Sequence, residues 1–247
     1  MKKRLIILLL AAIFILISVL YYFFRYKEGL SASGWDNIDC IYYINIAKRT
    51  DRNNEFLNEM KKYDVPDSKI IRIDAVYDKE RGALGCTKSH IKTLEQFINS
   101  GYKNCIIFED DFEFAVPKKN VTTSIVTTSI QQFFNLNIPY DVVMLSANDL
   151  KFTNSQYSGL SKAIDVQTTA GYMVSSEFAK KLLDNFTEGS KLLEKSYSNK
   201  NYNVDYAIDQ YWKKLQPNSN WYIFDPKLGK QRESYSDIEN KSVKYGV

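Results

Sequence analysis

The 247 residues, 45% hydrophobic and 25% charged, sit among ordinary globular chains, which excludes disorder as the main state. The net charge of +4 comes from the first 28 residues, where Lys2, Lys3, Arg4, Arg25 and Lys27 stand against Glu28; the rest is neutral and offers nucleic acid no basic stripe. Three cysteines without a CxxC spacing exclude a disulfide framework or a zinc knuckle and allow at most one intramolecular disulfide.

Leu5 to Phe24 is an apolar run of 20 residues whose one polar non-aromatic member is Ser18, enough at about 1.5 Å per residue to cross a hydrocarbon core of about 30 Å. Residues 1–27 are therefore expected to form a cytoplasmic stub and transmembrane signal anchor. A cleaved signal peptide is the alternative, with Ser31-Ala32-Ser33 as its site, but such peptides carry apolar regions of only about 7–15 residues. The positive excess before the run places the N-terminus in the cytoplasm and the remainder, as a type II membrane protein, in the lumen or outside. Acceptor triplets for N-glycans at Asn120, Asn185 and Asn240 are compatible with that side. Gly, Ser and Ala dominate residues 28–38, read as a linker, and one domain follows at 39–247.

Cys40 to Ile46 is β-branched and aromatic on both faces, as a covered central strand requires. A surface helix over Thr50 to Tyr63 and a short strand at Ile70 to Ile73 continue the pattern. Gly82 to His90 opens an amphipathic helix marked by Leu84, Ile91, Leu94 and Ile98 and stopped at Ser100-Gly101. Cys105 to Phe108 then runs as a buried strand into Glu109-Asp110-Asp111. Further strands are expected at Asp141 to Ser146 and Asp165 to Ser175, separated by a loop up to about Lys162, with helices over Glu177 to Phe186 and Val204 to Leu215. Strands alternating with helices predict an α/β fold with a mainly parallel sheet flanked by helices.

Ligands bind open α/β sheets at the carboxyl ends of strands, where the acidic triplet lies. Consecutive carboxylates repel one another, and a divalent cation with a preference for hard oxygen, Mg²⁺ or Mn²⁺, relieves them; a solvated acidic turn is the bland alternative. If the strand continues, Glu109 and Asp111 leave on one face and Asp110 on the other, so at most two bind one ion. Asn45, Arg49 and Arg52 follow the first strand, where guanidinium groups can meet phosphate or a base, or simply be solvated. Asp74 ends the second strand, at the same sheet edge. Gly82 and Gly85 allow a ligand close to the helix start, unless they only open the helix. His90 is the one histidine; with Cys86 it shares a helix face, but two ligands without a third make a poor zinc site. Asp205 and Asp209, four apart, are expected on one helix face, and Thr169, Ala170 and Gly171 present small side chains where a ligand can approach the backbone. Trp212 and Trp221 fit core packing better than sugar stacking.

Taken in order, Asn45 with the Arg49 to Arg52 segment, GALGCTKSH at Gly82 to His90, CIIFEDD at Cys105 to Asp111 and TTAGYMVS at Thr168 to Ser175 resemble glycosyltransferase family 25. Looser matches at Val204-Asp205 and Gln231 to Ile238 extend the resemblance over about residues 39–238. It implies a GT-A fold and inverting transfer of a hexose, galactose or glucose, from a UDP-sugar donor to a glycan or protein acceptor, with Mn²⁺. Asp111 becomes the direct metal ligand, with Glu109 beside it, while Asp110 and Glu109 hold ribose, sugar hydroxyls or metal-bound water. Ser89 and His90 join the donor pocket with Asn45, Arg49, Arg52, Asp74, Gly85, Thr169 and Gly171. Asp205 is the first choice for the acceptor-side base, and Asp110 is the other candidate catalytic group. Two rivals remain: a metal-dependent phosphoester hydrolase, disfavoured by a single histidine, and a relative that binds carbohydrate without turnover.

Overall fold

In the computed structural model, residues 13–19, 33–115, 125–236 and 241–243 are described. Strand β1 (Cys40–Asn45) sets the plan: Cys40, Tyr42 and Ile44 enter one apolar layer, Ile41 and Tyr43 the other. That is the period-two signature of a strand covered on both faces. The chain continues through α1 (Thr50–Lys62), β2 (Ile70–Asp74), α2 (Gly82–Ser100), β3 (Asn104–Glu109), β4 (Phe112–Phe114) and α3 (Ile125–Asn135). After these come β5 (Val142–Met144), β6 (Asn148–Asn154), β7 (Leu160–Gln167), β8 (Gly171–Ser175) and α4 (Ser176–Ser198). The last elements are α5 (Ile208–Tyr211), β9 (Trp221–Phe224), β10 (Gly229–Gln231), β11 (Ser234–Ser236) and β12 (Lys241–Val243).

Eight strands form one sheet in the order β2-β1-β3-β8-β5-β9-β7-β6. The pairings send six of the eight in one direction, and only β8 and β7 run against them. The mainly parallel α/β sheet expected from the sequence is thus present, with a reversed strand at its centre. Helices α2 and α4 cover one face through Leu94, Phe97, Phe178 and Phe186; α1 and α3 cover the other through Phe56, Met60, Ile130 and Phe133. Gly101, at φ 76°, ends α2 where the sequence places the stop.

Several boundaries differ from expectation. Residues 33–38 are not a free linker: Trp35 is fully buried in a 3-10 turn capped by Ser33, and its Nε1 donates to the Tyr63 carbonyl at 3.1 Å. The expected loop before Lys162 contains β6, an edge strand whose polar residues hide its pairing with β7. The single strand expected at Asp165 to Ser175 is two strands, split at Thr168, whose φ is 83°. Helix α4 runs on to Ser198 because Gly189 lets the Tyr211 ring lie against it, a Cβ there falling 2.8 Å from the ring. The helix expected from Val204 is broken at Ala207, extended at ψ 149°, into a 3-10 turn at Val204–Tyr206 and the short α5.

Of the apolar run Leu5 to Phe24, residues 13–19 are helical with exposed apolar side chains; the rest of the expected anchor lies outside the described residues. Among the described residues no helix is long and apolar enough to cross a membrane. Asn185 is buried in α4, its Nδ2 donating to the Tyr211 carbonyl at 3.3 Å, so the folded chain offers no glycan acceptor there. Asn120 and Asn240 lie outside the described residues. Cys40 and Cys105 face each other across β1 and β3, and all three cysteines are free.

Candidate active site

The strand ends at Glu109, and Asp110 and Asp111 form the turn into β4. Because extension stops there, the alternation expected of the three carboxylates does not hold. Arg52, on the first turn of α1, reaches both Asp110 Oδ1 at 2.8 Å and Asp111 Oδ2 at 3.4 Å. All three residues are buried. Asn45, at the end of β1, donates through Nδ2 to Asp110 Oδ2 at 2.7 Å and accepts at Oδ1 from Arg72 at 3.0 Å. Asp110 therefore has both oxygens engaged by protein. Asp110 thus anchors the turn together with Asn45 and Arg52.

Asp111 is different. Its Oδ2 accepts from Gln231 Nε2 at 3.1 Å, and its backbone carbonyl from the Arg232 amide at 2.7 Å, tying β10 to the turn. Its Oδ1 is buried without a hydrogen-bond partner. Burial, and then the negative charge of Glu109, push the Asp111 carboxyl up to about 7. An orphaned oxygen on a carboxyl whose charge is suppressed fits a hard cation, which would satisfy the atom and restore the charge.

Glu109 belongs to a second cluster. Its Oε1 accepts from Thr169 Oγ1 at 2.6 Å and lies 3.3 Å from His90 Nε2 and 3.8 Å from Cys86 Sγ. Burial works against its charge, but the His90 hydrogen bond and Thr169 outweigh it and hold Glu109 below the ordinary range. His90 is fully buried, its Nδ1 being 3.0 Å from the Tyr172 hydroxyl.

Beside these clusters opens a cleft of about 270 Å³ at the carboxyl end of β3, lined by Glu109, Thr168, Thr169, Asp209, Gln210 and Gln231, with Cys86 at its α2 side. Asp209 accepts from the Thr168 amide at 3.3 Å and from Gln210 Nε2 at 3.3 Å. Burial outweighs both bonds and raises its carboxyl. Thr168 is a β-branched residue at positive φ, a conformation costing on the order of 1–3 kcal/mol that the surrounding contacts must hold.

Other expected site residues lie elsewhere. Asp205 is exposed in its 3-10 turn and does not line the cleft; the break at Ala207 removes the shared helix face and leaves Asp209 there alone. Arg49 pairs with Asp51 at 2.8 Å, and Asp74 pairs with Arg72 at the sheet rim, largely exposed. Ser89 is buried, accepting from the Val76 amide and donating to the Gly85 carbonyl, each at 2.8 Å, so it pins a loop. Gly85 makes room for backbone, not ligand: a Cβ would fall 2.6 Å from the Val76 carbonyl oxygen. At Gly171 a Cβ would meet the Phe112 ring at 2.7 Å, so that glycine seats an aromatic ring. Trp212 and Trp221 are fully buried core residues. Sequence reasoning missed Arg72, Tyr172 and Gln231 as site partners, because each reaches the site from a distant part of the chain.

The family model described as glycosyltransferase family 25 (LPS biosynthesis protein) matches residues 80–208, just over half of the chain. No curated protein matches it. Among solved structures, the chain is similar to the crystal structure of a glycosyltransferase involved in the glycosylation of the major capsid of PBCV-1. The identity is 13%, covering 81% of this chain and 97% of that one, with a TM-score of 0.47.

Proposed function

The chain belongs to glycosyltransferase family 25, and from that premise we propose that it moves a hexose, galactose or glucose, from a UDP-sugar to a glycan or protein hydroxyl, inverting the anomeric centre on a GT-A scaffold. The observation that carries the reading is the buried, unpartnered Oδ1 of Asp111 beside a cleft at a strand end. Asp111, with Glu109 as the second oxygen donor, would hold Mn²⁺ or Mg²⁺, which would neutralise the charge that develops on the departing diphosphate. Asn45, Arg52 and Gln231 hold the turn in place, so the site is organised before substrate arrives.

Inversion needs a base on the acceptor side, and Asp209 replaces Asp205 in that role. Its carboxylate lines the cleft, is oriented by Thr168 and Gln210, and is raised by burial toward the range in which a carboxylate accepts a proton efficiently. The hydrolase rival is disfavoured by the chain's single histidine, since a two-metal phosphoester site draws on further His and Asp ligands. The same reading places the transferase on the lumenal or extracytoplasmic face of a membrane, tethered by residues 5–24; retention in washed membranes tests the tether.

The decisive measurement is UDP release from a panel of UDP-sugars with Mn²⁺, with and without EDTA. Release is expected to depend on metal and to fall by about 10²–10³ in Asp111→Asn, the range for losing one transition-state electrostatic contact. No release from any nucleotide-sugar, with phosphoester cleavage instead, overturns the proposal. Tight donor binding without release in the presence of acceptors points to the non-catalytic relative.

A further inference from the structure

The Cys86 thiol, the His90 imidazole and the Glu109 carboxylate converge at the α2 side of the cleft, with one ligand atom from each within 4.8 Å of the others. Cys86 and His90 stand one turn apart on α2, and the end of β3 brings Glu109 against both. Its Oε1 lies 3.3 Å from His90 Nε2 and 3.8 Å from Cys86 Sγ. In a tetrahedral zinc centre with bonds of about 2.0–2.2 Å to nitrogen and oxygen and about 2.3 Å to sulfur, the N···O edge is about 3.3–3.5 Å and the S···O edge about 3.5–3.7 Å. The two distances to Glu109 already stand close to those edges, and the sulfur and imidazole nitrogen lie within 4.8 Å of each other.

Supporting contacts match as well. A ligating histidine usually donates its other ring N–H to a fixed acceptor, and a ligating carboxylate is itself hydrogen-bonded. Here the Tyr172 hydroxyl lies 3.0 Å from His90 Nδ1, and Thr169 donates to Glu109 at 2.6 Å. Cys86 and Glu109 both line the cleft, so a fourth coordination position has access from solvent.

We propose that Cys86, His90 and Glu109 form a binding site for a thiophilic divalent cation, Zn²⁺ by its donor set, distinct from the hard-cation position at Asp111 but sharing Glu109 with it, and with its fourth position open to the cleft. On binding, the Cys86 thiol releases its proton to solvent, and the imidazole carries its remaining N–H on Nδ1, donating to the Tyr172 oxygen. The site stands whatever reaction the cleft performs. Its consequence, that Zn²⁺ draws Glu109 away from the donor and so opposes transfer, rests on the transferase reading.

The test titrates the reduced, metal-free full chain with Co²⁺, then displaces it with Zn²⁺. One Co²⁺ per chain with a thiolate charge-transfer band, lost on adding Zn²⁺, is expected. The band should survive Cys40→Ser and Cys105→Ser and disappear in Cys86→Ser, with far-ultraviolet circular dichroism confirming each fold. Tyr172→Phe, which removes only the hydroxyl behind His90, should weaken Zn²⁺ binding about 10–100-fold. A folded wild type without the band, a band that persists in Cys86→Ser, or equal Zn²⁺ affinity in Cys86→Ser and wild type would overturn the proposal. UDP release with Mn²⁺, assayed separately, reports on the transferase reading alone.

Discussion

Arg52 contacts both the Asp110 and the Asp111 carboxylates, and Arg52→Met removes its charge while keeping most of its stem. The Arg52–Asp110 contact is 2.8 Å long, and the two side chains retain only 10% and 7% of their exposure, so solvent cannot replace the lost partner. Breaking a buried pair from one side costs about 3–5 kcal/mol. At about 2–4 °C per kcal/mol for a domain of this size, the melting temperature should fall by roughly 6–20 °C. Burial already raises the Asp110 carboxyl above its ordinary value, and Arg52 is the main force opposing it. Without Arg52 the folded-state pKa rises further above the unfolded value of about 3.9, and stability is lost as pH climbs through that window. The deficit should therefore be large at pH 7 and shrink toward pH 4. Urea unfolding, followed by the fluorescence of the buried Trp35, Trp212 and Trp221, measures it. Adding Asp110→Asn should recover much of the loss at pH 7. A loss under about 1 kcal/mol at pH 7, or one equal at both pH values, would refute the account of this turn.

Asp209→Asn should separate activity from stability. A buried carboxyl with a raised pKa destabilises the fold above its unfolded value, so the amide should stabilise the protein increasingly from about pH 4 upward while lowering transfer to acceptor; equal stability at pH 4 and pH 8 would contradict the raised pKa. Trp35→Ala should cost about 3–5 kcal/mol in the same unfolding assay, since the side chain is fully buried; a cost below 1 kcal/mol would return residues 33–38 to a linker. In Gly171→Ala the new methyl meets the Phe112 ring, costing about 1–3 kcal/mol, and Phe112→Leu in the same chain should relieve part of it.

Where a local rule governs, the sequence was legible. The two-faced strand at Cys40, the stop at Gly101 and the strand running into Glu109 all follow from side-chain periodicity or from the backbone freedom of glycine. Elements failed where a distant partner overrides the local signal. Trp35 sits among Gly and Ser, yet the Tyr63 carbonyl and the α3 face hold it. Gly189 reads as a breaker, yet Tyr211 packs on it and α4 continues. The acidic triplet was visible, but the division of labour within it was not. Arg52 takes Asp110, Gln231 takes Asp111, and His90 takes Glu109, through contacts spanning 58, 120 and 19 positions. The choice between Asp205 and Asp209 turned on one extended residue, Ala207, for which spacing alone gives no signal.

The reversed direction of β8 has a consequence for how the cleft can change. Since β8 begins where β3 finishes, the Ala170 carbonyl receives the Glu109 amide at 3.0 Å, and Thr169 arrives beside the carboxylate with no long excursion of chain. The short turn between Gln167 and Gly171 thus furnishes a wall of the cavity through Thr168 and Thr169 while both flanking strands stay locked in register by their neighbours. Because Thr168 and Thr169 both line the cavity from this turn, exchanging their side chains alters what the cavity presents without shifting the register of either strand.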